Sequence, residues 1–151
     1  MASFGSNLEK PPLPASSPQR FPVALLRHEL QDGSAHFDLL IADRVPTDPD
    51  AATVPTYRVA RRPDLVPAHT SMGVERIPLH RERYLALTRS AVLSEGRGTV
   101  SPLRRGSSTP KVDGTLEIIW EDGALQCLRV DQDGSEWTIT VLASESRRPN
   151  P

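Results

Sequence analysis

A single cysteine, Cys127, stands among the 151 residues, and that scarcity removes two classes of architecture. One thiol closes no intramolecular disulfide framework and cannot build a cysteine-rich zinc site. Charge of one sign is also missing, since 18 Lys and Arg against 19 Asp and Glu leave a formal net charge of −1. A sequence-independent grip on a phosphate backbone needs a positive surplus. Any nucleic-acid contact must therefore be local or rest on a bound cation. No apolar run reaches the length that crosses a bilayer, and the N-terminus lacks the charged start and apolar centre of a signal peptide. These absences lead us to expect a protein without a membrane span, cytoplasmic and monomeric.

Core-forming residues are unevenly spread. Residues 1–20 (MASFGSNLEKPPLPASSPQR) hold four prolines and no hydrophobic period. Such a segment buries too little apolar surface to offset the entropy of ordering it, and a disordered tail is expected. Residues 144–151 (SESRRPNP) read the same way. The stretch between them, 21–143, suffices for one domain with one modest core.

That stretch is written in strands. PVALLRHEL (22–30) and AHFDLLIA (35–42) are rich in β-formers and flank an Asp32-Gly33 turn signal. TYRVA (56–60), GTVSPLR (98–104), TLEIIWE (115–121), ALQCLRV (124–130) and EWTITVLA (136–143) continue the pattern. RIPLHRERYLAL (76–87) has a mixed period, and with Pro78 it reads as a loop leading into about one helical turn. Short strands with turn punctuation and no long amphipathic helix predict an all-β protein, a small barrel or a sandwich, with one short helical segment.

The chemistry-bearing residues gather on the first hairpin. His36 and Asp38 alternate along one strand and so share a face. Whether His28 joins them depends on the turn. A two-residue loop at Asp32-Gly33 puts His28 opposite Phe37, on the wrong face. A three-residue loop, Gln31-Asp32-Gly33 with glycine left-handed, sets His28 across from His36 and diagonal to Asp38. Two imidazoles and a carboxylate suit zinc, manganese or iron, and His80 could add a further ligand. Incidental histidines, by contrast, have no reason to converge. Gly96 and Gly98 serve backbone geometry, Trp120 and Trp137 read as core or seam residues, and Cys127 as a buried, inert thiol.

The segment RHELQDGSAHFDLLI resembles the opening motif of the 3′-phosphoesterase domain of bacterial ATP-dependent DNA ligase D proteins, a histidine, a short turn and then His-Tyr-Asp-Phe-Arg. His80 with Tyr84 four residues later also fits that family. So do Glu95-Gly96, Gly98-Thr99-Val100 and Arg105-Gly106 within SEGRGTVSPLRRGS, and Trp137-Thr138 near the end. The resemblance implies a barrel with a metal pocket at its mouth, in which His28, Asp38 and His80 bind a divalent metal, manganese ahead of zinc. It implies catalytic roles for His36, on the phosphate side, and for Tyr84. The implied reaction is metal-dependent removal of a 3′-terminal phosphate or ribonucleoside from a nucleic-acid end during DNA repair, with separate ligase or polymerase proteins as partners. The alternative is a metal-binding module with little catalysis that serves a repair complex.

The departures from the family pattern concern anion binding. Leu40 stands where the family has an arginine, Pro78 where it has an acidic residue, and Met72 where a further arginine is expected. Leucine cannot replace a bidentate guanidinium on phosphate. An active enzyme would need another arginine near the metal, and Arg58, Arg61, Arg76 and Arg97 are the candidates.

Overall fold

Residues 19–145 are described in a computed structural model of the chain. Nearly all of both expected tails lies outside those residues. At the N-terminal boundary Arg20 is already tied down: its guanidinium donates to Ser107 Oγ and Thr109 Oγ1. At the other boundary the last strand runs on to Glu145.

The expected all-β barrel is found. Its strands are β1 (Phe21–Glu29), β2 (Ala35–Ile41), β3 (Ala52–Val59), β4 (Thr70–Arg81), β5 (Ala91–Val92), β6 (Thr99–Pro110), β7 (Thr115–Trp120), β8 (Leu125–Asp133) and β9 (Glu136–Glu145). The wall runs in the order β1-β2-β3-β4-β9-β8-β7-β6, and a second pairing of β1 with β6 closes it. Every pairing is antiparallel, and the short β5 adds to β6. The helical content of the described residues is two 3₁₀ turns, Pro63–Leu65 and Glu82–Ala86. The second is the helical turn expected near Tyr84. None of the described helices is long and apolar enough to cross a membrane.

Two stretches differ from the sequence expectation. Residues 70–81 form a strand rather than a loop, because β3 and β9 pair with them from either side. The third strand begins at Ala52 instead of Thr56 and passes through Pro55. A residue without an N–H is tolerated there because the ladder is irregular on both sides of Val54.

Alternation along the strands puts apolar residues on both faces of the wall. Inside the barrel, Val23, Leu25, Leu39, Ile41, Tyr57, Val59, Ile118, Trp120, Leu128, Ile139 and Val141 make the main core. Outside, Ala24, Leu26, Leu40, Ala42 and Val54 make a second, smaller cluster, covered by Leu85 of the 3₁₀ turn with Tyr84 and Leu87 beside it. This doubled burial explains the unbroken apolar runs at Val23–Leu26 and Leu39–Ala42. One end of the barrel is stoppered by the Pro63–Leu65 turn. Its buried Asp64 pairs with Arg62 and Arg104, and Gln126 donates to the Pro63 carbonyl while accepting from the Trp120 indole.

Trp120 is a core residue, and Trp137 packs partly buried against the core. Cys127 is half-buried rather than buried. Its neighbours Gln126 and Leu128 take the inward positions on β8, which turns the thiol to the outer face.

Candidate metal centre

The first hairpin adopts the three-residue turn. Leu30 N donates to Ser34 O, Gly33 N donates to Leu30 O, and Gly33 is left-handed at φ +88°. Asp32 braces the turn by accepting from the Ser34 amide and hydroxyl. The pairing is therefore His28 opposite His36 and Leu26 opposite Asp38. The condition for bringing both histidines to one face is met.

His80 arrives by a different device. Thr56 of β3 pairs with Ile77, but Val54, two residues on, pairs with His80 rather than Leu79. The extra residue in β4 is a β-bulge at Pro78-Leu79, and a bulge re-aims the side chains that follow it. His80 thereby shares the outer face with Val54, while Leu79 is left 45% exposed.

Three histidines converge on Asp38, which is 1% exposed. His36 Nε2 lies 3.3 Å from Asp38 Oδ1, and His28 Nδ1 and His80 Nε2 lie 3.9 and 3.7 Å from Oδ2. The tightest trio is His28, His36 and Asp38, whose ligand atoms lie within 4.8 Å of one another, and His80 joins through Asp38 alone. His36 is thus at least as close to the carboxylate as the other two histidines. Tyr84 stands beside the centre, its ring 6.0 Å from that of His80.

The hydrogen bonds around the centre settle the tautomers. His28 Nε2–H donates to the Arg97 carbonyl at 2.6 Å, and His80 Nδ1–H donates to the Pro78 carbonyl at 3.2 Å. In the neutral imidazole each remaining nitrogen, His28 Nδ1 and His80 Nε2, turns a lone pair toward the same carboxylate oxygen. Ligand histidines are commonly oriented in this way, by giving the second N–H to a backbone carbonyl. Burial pushes the His36 imidazolium below its ordinary range, with Arg58 and His28 adding to the shift and Asp38 opposing it.

Unsatisfied atoms mark the spot. Buried polar groups almost always find partners, so each exception calls for a reason. Among the described residues four buried side-chain atoms have none: His36 Nε2, Asp38 Oδ1, Arg58 Nε and Ser108 Oγ. The first three are neighbours, since Arg58 pairs with Asp38 across the β2–β3 ladder. An unpartnered ring nitrogen facing an unpartnered carboxylate oxygen, with an orphaned guanidinium N–H beside them, suits a cation and an anion side by side. Donors sharing one ion at bond lengths of about 2.1 Å stand roughly 3.0–3.5 Å apart, and the His36–Asp38 spacing falls within that range. That pair fits one divalent metal, and the His28 and His80 contacts to Asp38, at 3.9 and 3.7 Å, stand a few tenths of an ångström wider.

The centre opens into a pocket of about 670 Å³ lined by His28, Asp38, His80, Tyr84, Arg58 and Arg97 among others. That volume is in the usual range of ligand sites. It lies on the outer face of the barrel wall beneath the Glu82–Ala86 turn, not at the barrel mouth as the resemblance implied. The reason is parity: His28 follows Ala24 and Leu26 of the outer cluster, whereas Val23 and Leu25 face inward. Leu40 shares this outer face and is fully buried, so its position belongs to the apolar floor. Of the four arginine candidates, Arg58 and Arg97 line the pocket, and Arg76 is occupied by the Tyr57 and Trp137 rings. Arg61 does not line it. The sequence signal that could have singled out Arg58 is its even spacing from Thr56 and Val54, but only the ladder with β2 gives that spacing meaning.

No family model, curated protein or solved structure matches the chain.

Proposed function

We propose that the chain is a metal-dependent phosphoesterase-like protein that acts on the 3′ ends of nucleic acids. The observation that carries this reading is the trio of buried unpartnered atoms, His36 Nε2, Asp38 Oδ1 and Arg58 Nε, which asks for a cation and an anion in contact. A phosphate ester on a divalent metal supplies that pair. The resemblance of the hairpin to the ligase D phosphoesterase domain names the same chemistry independently.

In this reading Asp38, His28 and His36 hold the metal, manganese ahead of zinc, with His80 reaching it beside Asp38 Oδ2. A divalent ion so held neutralises a phosphate oxygen and lowers the pKa of a bound water. Arg58 and Arg97 take the role that an arginine at position 40 has in the family, gripping the phosphate from the pocket wall. His36, kept neutral by burial, serves better as a ligand than as a proton carrier, and Tyr84 orients the ester beside His80. The local charge of the metal and two arginines removes the need for a basic surface.

The test is phosphate release from a 3′-phosphate-terminated primer–template with Mn²⁺. We expect release that Asp38→Asn lowers at least about 10²-fold, and that Arg58→Gln lowers mainly by raising KM. Tight Mn²⁺ binding lost in His28→Ala, without phosphate release, would favour the non-catalytic metal-binding module. Neither binding nor release would overturn both readings.

A further inference from the structure

The fourth unpartnered atom lies away from the metal centre. Ser108 is 1% exposed, and its hydroxyl has no partner among the described residues. It stands opposite Ile118 across the β6–β7 ladder, and Ile118 belongs to the inner core, so Ser108 points into the barrel.

There it borders a pocket of about 310 Å³ at the end of the barrel away from the Pro63–Leu65 stopper. Ile41, Leu116 and Val130 supply apolar walls, and Tyr57 and Arg76 supply polar atoms. The Arg76 guanidinium lies 5.3 Å from the Tyr57 ring and 5.2 Å from the Trp137 ring, a fixed cation rather than a waving one. Among the described residues Arg76 has no carboxylate within ion-pair distance, although ten pairs join other arginines or lysine to a carboxylate. The one acid at the rim, Asp43, is taken by the adjacent Arg44 at 3.1 Å. Burial pushes the Tyr57 phenol up, so it remains a neutral hydroxyl.

A small apolar chamber, a fixed cation at its rim and an unused hydroxyl in its wall define a ligand class. We infer that the barrel mouth is a second binding site, for a small amphipathic carboxylate with one further polar atom, of the size and kind of a phenolic acid. The carboxylate meets Arg76, the ring lies against Ile41, Leu116 and Val130, and the second polar atom reaches Ser108 Oγ. The site shares no side chain with the metal pocket.

The test uses the full chain with 4-hydroxybenzoate and benzoate as probes, followed by tryptophan fluorescence and by amide shifts. Saturable binding of 4-hydroxybenzoate is expected, weakened about tenfold or more in Arg76→Gln. Ser108→Ala is expected to weaken 4-hydroxybenzoate severalfold and leave benzoate unchanged. The same variant should unfold no earlier than the parent, because losing an unsatisfied buried hydroxyl costs the fold nothing. Absence of saturable binding by either probe would overturn the site, as would binding indifferent to both substitutions. A Ser108→Ala protein that unfolds early would show a structural role for the hydroxyl instead.

Discussion

The Nε2–H of His28 ends on the carbonyl of Arg97, so the placing of that carbonyl decides where Nδ1 points. Gly98 places it. The residue is left-handed at φ +96°, and a Cβ there would stand 2.0 Å from the Glu29 carbonyl oxygen. Gly114 is also left-handed, at φ +85°, but a Cβ there meets nothing within 4 Å. Gly98→Ala should therefore cost about 1–3 kcal/mol of stability and, by shifting the Arg97 carbonyl, weaken Mn²⁺ binding roughly 10–100-fold. Gly114→Ala should cost stability alone. Urea unfolding and calorimetric Mn²⁺ titration of the two variants separate the effects. At this scale the residues themselves were legible: all four members of the centre are recognisable as ligand types. Arg58 was legible only as one of four arginine candidates, because an unpartnered Nε is a property of burial and neighbours that no residue type announces.

At the scale of elements, the roof over the pocket is held by one carboxylate. Glu82 opens the Glu82–Ala86 turn, and its Oε1 accepts from the amides of Thr47 and Asp48 at 2.7 and 2.9 Å. Its Oε2 accepts from the Thr53 hydroxyl at 2.7 Å. The Asp48 amide first, and then the Thr53 hydroxyl, hold the Glu82 carboxyl below the usual range. A folded pKa below the unfolded one means that the unfolded chain binds more protons in between. The stability Glu82 contributes is thus complete above about pH 4.5 and is lost as the pH falls through its folded value. Thermal melts from pH 7 downward should fall less steeply below that point for Glu82→Gln, starting from a lower Tm at neutrality. Asp113 and Asp122, held low by hydrogen bonds in their turns, keep part of the slope in both proteins. The first hairpin was readable down to a choice between two turns, because its register is decided by five consecutive residues. The position of His80 was not, since the bulge at Pro78-Leu79 exists only against β3, and proline beside charged residues reads as loop.

For the whole molecule, one wall carries two cores. Leu39 and Leu40 are neighbours in β2 and both are fully buried, yet Leu39 faces the lumen and Leu40 the outer cluster. Truncating either to Ala should cost about 2–5 kcal/mol. Only Leu40→Ala should also loosen Mn²⁺ binding, because Leu40 lies under the pocket beside Asp38. Equal loss of affinity in both variants would count against a centre seated on the outer face. This division was hidden in the sequence: when both faces are apolar, a strand shows no alternation to say which is inside. The all-β class, by contrast, followed from strand and turn spacing, which left barrel and sandwich open; the choice of a barrel came with the family resemblance.

Closure has a further consequence, for how the chain reaches this state. The tie between Arg20 and Ser107 spans 87 residues, and β1 cannot meet β6 until the chain has extended through four intervening strands. Contacts so distant in sequence bear their loop entropy before they gain anything, which places folding in the slow, millisecond-to-second regime of β proteins. Until that moment the Val-Ala-Leu-Leu run of β1 presents an open hydrogen-bonding edge, an invitation to a neighbouring chain. The finished barrel withdraws the invitation, so crowding endangers the newborn chain and leaves the mature protein untouched.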